Sequence, residues 1–242
     1  MMASVAHRDF AVSEKQLKIR MRSVGSIGKI TKAMKMVAAS KMKEDLRRLN
    51  AGKEYGLNAI DMIFKSDQFM QRKAPMEIAN PRILFVPITS DKGLCGGVNS
   101  TIVRGVKNAI AGQDRSRFQI FSIGAKGSTG LVRPFPDCLK TSISAIGTPY
   151  NYPTIMSMAV HIQNMSNDTD KIVVIYNEFK NAISYEQRHM ELMPRKRFME
   201  SMAFSKLYNQ TLPDKNTSNP SLYELYLTSN LWVAFLNSAA SE

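Results

Sequence analysis

The chain has 242 residues, 44% of them hydrophobic, with 33 Lys and Arg against 20 Asp and Glu and a formal net charge of +13. That length accommodates one substantial domain plus an extension, and no apolar run reaches the roughly 20 residues a membrane helix requires. The positive excess points to an acidic partner: nucleic acid, anionic lipid or acidic protein loops.

Residues 1–12 contain His7 and Arg8 but no apolar stretch. This excludes a secretory signal and leaves at most a short or trimmed organelle presequence. The first proline is Pro75, so a helix is predicted from near Ser13 to about Phe64, roughly 75 Å long. Ser13 with Gln16 fits a capping box, with Glu14 in the first turn. Leu17, Met21, Val24, Ile27, Thr31, Met34, Ala38 and Met42 recur at steps of three and four, with Ile30 and Val37 beside them. This spacing makes a seam for a partner helix, apolar on one side and basic on the other. Gly25 and Gly28 each cost about 1 kcal/mol relative to Ala unless they mark close backbone approach. Gly52 and Gly56 predict fraying or a bend. Residues 14–53 hold twelve Lys or Arg and three Asp or Glu, +9 of the total +13. That imbalance is too large for i,i+4 pairs to neutralise.

The middle of the chain reads as α/β. Arg82–Thr89 is a buried-strand candidate, although Pro87 favours an edge or a bulge. The Gly-rich turn Ser90–Gly97 follows. Val98–Ala111 is then helical, with Val98, Ile102, Val106 and Ile110 on one face. Arg117–Ile123 alternates as a second strand, Pro153–Met165 is a helix, and Lys171–Phe179 is a third strand. Ile183–Met193 continues as a fourth, antiparallel strand. The alternation implies a mostly parallel sheet with helices on its faces. Asn209–Pro220 is a polar loop, after which Asn219 and Pro220 open a last helix. Its apolar positions are Leu222, Leu225, Ser229, Trp232, Leu236 and Ala239, and the helix is still running at Glu242.

Catalytic signals are lacking. Gly93-Leu94-Cys95-Gly96-Gly97 is not a dinucleotide fingerprint, and in Gly124–Thr129 the lysine precedes the glycine instead of following it. These glycines are better explained by a tight turn and close helix–sheet packing. Asp91 reads as a helix or turn cap. Cys95 and Cys138 match no metal spacing and are expected as free thiols. His7, His161 and His189 are scattered.

Three segments resemble a known family: Ile30–Ala39, Ile88–Gly96 and Ile183-Ser184-Tyr185. With the closing Asn237–Glu242 they are similar to the γ subunit of the rotary F-type ATP synthase, collinear from about Leu17 to Glu242. The lack of a regulatory insert and the wording around Ile183 are closer to mitochondrial than to chloroplast members. The resemblance implies an α/β fold: a long N-terminal coiled-coil helix (residues 13–70), a Rossmann-like three-layer domain (80–208) and the start of a C-terminal coiled-coil helix (219–242). It implies a non-catalytic central-stalk rotor without a cofactor, coupling proton-driven rotation of the c-ring to the catalytic β subunits. The implied partners are the α and β subunits, the c-ring and small stalk subunits of the δ and ε type. The implied location is the matrix side of the mitochondrial inner membrane, peripheral to the bilayer.

By the same resemblance, Lys41, Lys92, Arg104 and Lys107 match positions that place basic side chains near the acidic β loops. Lys29, Lys32 and Lys35 match basic positions on the shaft. Leu17, Met21, Val24, Ile27, Met34, Val37, Ala38 and Met42 match the coiled-coil seam. Gly25 and Gly28 replace residues that are usually larger. Family members also continue into a long C-terminal helix with an acidic, Ile-rich and Gly-Ala ending, which does not follow Glu242. A fragment, a helix supplied by another chain and a divergent subunit all remain open. Taken without the resemblance, the basic helix also fits a nucleic-acid-binding adaptor held by phosphates, although it interleaves Met and Ala where a single-strand binder stacks aromatics. An enzyme using the Gly-rich turn for a nucleotide ranks third.

Overall fold

The computed structural model describes residues 13–58, 78–93, 95–202 and 215–242. The chain divides into two compact units, Met1–Glu44 and Asp45–Glu242.

In the first unit the described residues are almost entirely helix. Helix α1 runs Glu14–Lys53 and its last turns, from Asp45 on, belong to the second unit. At about 1.5 Å per residue it is roughly 60 Å long. The Ser13 carbonyl accepts the Leu17 amide at 3.0 Å, and Glu14 pairs with Lys18 at 2.5 Å. Gly25 and Gly28 do not interrupt the helix, and a Cβ at either would meet no atom within 4 Å. They therefore mark no close approach among the described residues. Regular α-helix ends at Lys53 and passes into a π-turn, Glu54–Asn58. The expected continuation to Phe64 lies outside the described residues.

The second unit is a five-stranded sheet between two helical layers. The strands are β1 (Ile83–Pro87), β2 (Phe118–Ile123), β3 (Leu139–Ile143), β4 (Lys171–Phe179) and β5 (Tyr185–Leu192). Their order is β3-β2-β1-β4-β5. The first three contacts are parallel and β4–β5 is antiparallel. The helices are α2 (Val98–Ile110), α3 (Ala125–Val132), α4 (Tyr152–Met165), α5 (Arg195–Met202) and α6 (Lys215–Ser241).

The strand alternation sorts the core. Leu84, Val86, Phe121, Ile172 and Val174 face α4 and α6, where Ile155, Ile162, Tyr223, Leu231 and Phe235 meet them. Phe85, Ile120, Val173 and Ile175 face α2, where Ile102, Val106 and Ile110 meet them. Each fully buried side chain of this size contributes roughly 1.5–3 kcal/mol.

Several expectations are corrected. Pro87 lies on the central strand, not at an edge. It is the last residue of β1 and falls in the gap between the β2 pairing that stops at Phe85 and the bridge Ile88–Ile123 that resumes it in the same register, so its missing donor is confined to one short break in the ladder. Arg117 is the end of a 3-10 turn, Arg115–Arg117, so β2 begins one residue later than predicted. Helix α6 begins at Lys215, a turn before Asn219 and Pro220. From Leu222 on it is buried nearly all round, not along one seam. Tyr223, Leu227, Leu231 and Phe235 enter the sheet core, while Leu236 and Ala240 pack on Leu49. Leu222, Leu225, Trp232 and Ala239 are only half-buried. Gly52 and Gly56 are buried, and a Cβ at Gly52 would run into Leu236 while one at Gly56 would lie 2.6 Å from Val233 Cγ2. These glycines allow close approach to α6 instead of fraying. Helices α3 and α5 and strand β3 were not anticipated.

Candidate partner-binding surface

Each unit contributes its own part of the predicted site. On α1, Lys29, Lys32, Lys35 and Lys41 are all exposed. Between Glu14 and Glu44 the sequence has nine Lys or Arg and no acidic residue, so this stretch cannot neutralise itself. The seam residues Leu17, Met21, Val24, Ile27, Met34 and Val37 are between 48% and 73% exposed. Ala38 is also exposed and Met42 is half-buried. The two faces are less separate than the spacing implied. Lys35 lies 18 residues beyond Leu17, which at 3.6 residues per turn is about five turns, on the same line along the helix. The basic track therefore crosses the seam.

In the second unit, Arg104 and Lys107 occupy the exposed face of α2, opposite the buried Ile102, Val106 and Ile110. Lys92 stands exposed in the turn before that helix. The turn is braced from within. Asn99 Oδ1 accepts the Ser90 amide at 2.9 Å, and its Nδ2 donates to Ser90 Oγ at 3.0 Å and to Cys95 Sγ at 3.1 Å. The Ser90 hydroxyl donates to the Lys92 carbonyl at 2.8 Å. Asp91 is a cap, but of α3. Its carboxylate accepts the Ala125 amide at 2.8 Å and the Ile146 amide at 3.1 Å. The carbonyl of Gly97, at the start of α2, accepts from the Thr101 amide and from the Ser100 and Thr101 hydroxyls.

Sequence reasoning missed one cation. Lys126, in the first turn of α3, carries its Nζ 4.0 Å from the Cβ position of Gly93 and is exposed. Lys126 therefore stands beside the turn that carries Lys92. Its only sequence signal was a failed phosphate motif. Lys92, Arg104, Lys107 and Lys126 make no ion pair among the described residues.

The start of β5 closes the same region, since the Tyr185 hydroxyl lies 3.1 Å from the Cβ position of Gly97. There the charges are balanced. Glu178 accepts from Lys180 at 2.9 Å and from Arg188 at 2.7 Å, and Glu186 lies 3.4 and 3.2 Å from the same two cations. The Lys180 hydrogen bond, then that of Arg188, holds the Glu178 carboxyl below its usual range. Cys95 and Cys138 are both unbridged. No group of His, Cys, Asp and Glu among the described residues is placed to hold a metal. No helix among the described residues is long and apolar enough to cross a membrane.

A family model described as ATP synthase matches residues 13–242. The chain is similar to the γ subunit of the mitochondrial ATP synthase F(1) complex of Dictyostelium discoideum, 28% identical over 246 aligned positions that cover 100% of this chain and 80% of that protein. It is 31% identical to the mitochondrial γ subunit of Drosophila melanogaster over 175 positions, 71% of this chain and 56% of that one. Among solved structures, the Tetrahymena thermophila mitochondrial ATP synthase central stalk and c-ring contains a chain with TM-score 0.78 and 44% identity, covering 88% of this chain and 93% of that one. A chain of the Euglena gracilis mitochondrial enzyme matches with TM-score 0.74 over 93% of this chain at 17% identity, a likeness of fold alone.

Proposed function

The chain belongs to the ATP synthase γ-subunit family, and from that premise we propose that it is the non-catalytic rotor of the central stalk, turning with the c-ring and driving the catalytic β subunits through their states. The observation that carries this reading is the uncompensated positive charge on otherwise ordered surfaces. Lys29, Lys32, Lys35 and Lys41 project from a helix with no acidic residue from 15 to 43. Lys92, Arg104 and Lys107 make no ion pair among the described residues, and they stand on a braced turn and on a helix packed against the sheet. A rotor must release each contact as it turns. Exposed ion pairs, worth roughly 0.2–1 kcal/mol each, can be remade at every step where a buried apolar lock cannot. The partners are the acidic loops of the β subunits, flanked by the α subunits, with the small δ- and ε-type stalk subunits at the base. The location is the matrix side of the mitochondrial inner membrane.

The basic helix does not need a nucleic acid to explain it, and nothing in the comparisons supports such a ligand. The test is the combined variant Lys41→Ala, Lys92→Ala, Arg104→Ala and Lys107→Ala in the assembled enzyme. Four lost exposed pairs predict weaker coupling of ATP hydrolysis to proton pumping and a flatter dependence on salt. Unchanged coupling and unchanged salt dependence would remove the basic track from the mechanism.

A further inference from the structure

An open cavity of about 820 Å³ lies beside the last turns of α1. Ala51 and Gly52 line it from α1, Trp232 from α6, and Pro149, Tyr150 and Tyr152 from the passage between β3 and α4. All of these residues belong to the second unit. The volume falls within the roughly 300–1,000 Å³ of sites that hold small organic molecules.

The walls are set in advance. The Ile146 amide donates to Asp91 at 3.1 Å, and Asn151 Oδ1 accepts the Thr154 amide at 2.9 Å and the Thr154 hydroxyl at 2.6 Å. The segment that carries Pro149 and Tyr150 is thereby pinned on both sides. Tyr150 meets the buried Phe235 edge-on, with ring centroids 5.2 Å apart, and Tyr152 meets Trp232 in the same manner at 5.7 Å. A site already held in shape binds at a lower ordering cost.

The polar groups of the lining define the ligand. The Trp232 indole N–H and the Tyr150 hydroxyl make no hydrogen bond among the described residues, although such groups usually find a partner once they are enclosed. Burial pushes the Tyr150 hydroxyl above its ordinary range, so it keeps its proton and can donate. Arg48, the charged side chain of the lining, already has a partner within the chain. Aromatic rings with two unused donors and no unused charge fit a planar, neutral molecule that carries an acceptor oxygen.

We propose that this cavity is a binding site for a small, neutral, planar aromatic molecule with a carbonyl group, held against Tyr150, Tyr152 and Trp232 while the indole N–H and the Tyr150 hydroxyl donate to its oxygen. The site does not depend on the central-stalk reading. It lies wholly within one chain and turns with it, so none of its contacts has to be remade as a rotor moves.

Trp232 is the only tryptophan in the chain, so its emission reports on this cavity alone. The experiment titrates the full chain with coumarin, following Trp232 emission and, in parallel, the heat of binding. Saturable quenching with one site per chain and a Kd below about 1 mM is expected. Ala51→Phe, at an exposed helix position, fills the cavity without removing a contact and is expected to abolish both signals. The pair Tyr150→Phe and Trp232→Phe keeps the rings and removes both donors, and its Kd, read by calorimetry, is expected to rise about tenfold. Melting curves show that the variants are folded. Cyclohexanone, which has the carbonyl but no aromatic ring, needs no variant and is expected not to compete at about 10 mM. Coumarin binding that leaves Trp232 emission unchanged, or that survives Ala51→Phe, would overturn the site, as would no binding by the wild type. An unchanged Kd in the donor pair, or displacement by cyclohexanone, would overturn the ligand class.

Discussion

Replacing Gly124 by Ala tests how the second unit holds its basic turn. Gly124 joins β2 to α3 at φ +91° and ψ 140°, a region that non-glycine residues occupy at a cost of about 1–3 kcal/mol. An added Cβ would overlap the Thr89 carbonyl, with the Thr89 carbonyl carbon at 2.5 Å and Oγ1 at 2.7 Å. Those neighbours are backbone and a fully engaged hydroxyl, so they cannot simply swing aside. Moving Thr89 weakens its hydrogen bond to the Ile123 carbonyl (2.7 Å) and the one it accepts from the Gly127 amide (2.9 Å). Shifting Gly124 weakens the bond from its amide to the Ile143 carbonyl (2.8 Å). Each is worth about 0.5–1.5 kcal/mol. Together with the backbone strain, the expected loss is about 3–6 kcal/mol, a large share of a typical 5–15 kcal/mol domain stability. Urea unfolding of the full chain, followed by circular dichroism, measures it. A loss below about 1 kcal/mol would refute the clash and the strain together.

Three further substitutions probe features at a distance from that joint. Gly25→Ala and Gly28→Ala sit in an exposed helix with open space around them, so each should stabilise α1 by roughly 0.5–1 kcal/mol, seen as increased helical ellipticity and slower amide exchange over 20–35. Glu178 has a folded pKa below its ordinary value of 4.5, so its stabilising contribution is present above that value and is lost as pH falls through the lower, folded one. Glu178→Gln should therefore melt earlier than the wild type at neutral pH, and the gap should close on acidification. A gap that is constant with pH would rule out this carboxylate as the titrating group.

Much of the second unit can be read from the sequence because its signals are strong and local. The nine residues Lys171–Phe179 form a strand over their predicted bounds, since β-branched and aromatic residues run unbroken from Ile172 to Tyr176. The α2 face of Val98, Ile102, Val106 and Ile110 is buried as its spacing requires. Helix α3 was illegible because Gly127 and Gly130 lower its propensity. Yet a Cβ at those positions would press on Thr89 and Val103, so the same glycines let the helix lie close to its neighbours. Strand β3 is a half-exposed edge, Leu-Lys-Thr-Ser-Ile, without a strong apolar period. Long-range packing also decides what Gly52 and Gly56 do, because the residues they accommodate, Leu236 and Val233 on α6, are far away in sequence. The same applies to Lys126, whose neighbour across space is Gly93. At the candidate site, the sequence supplied most of the exposed cations and Asp91 as a cap, while the brace from Asn99 and the helix that Asp91 caps could be seen only in three dimensions.

The lysine on the seam of α1 has a consequence for any helix that covers it. Lys35 shares a line with Leu17 and lies beside Met34. A partner can cover the neighbouring apolar side chains only where it offers an anion to this ammonium or lets its stem reach past to water. Sliding the partner along the seam would press the charge against hydrocarbon, at a cost that an all-apolar stripe would never impose. A single polar residue on an apolar seam fixes pairing in this manner in coiled coils. For a partner helix laid on this stripe, Lys35 would act as an index mark, lowering the attainable affinity while singling out one alignment among many that the methionines alone would tolerate.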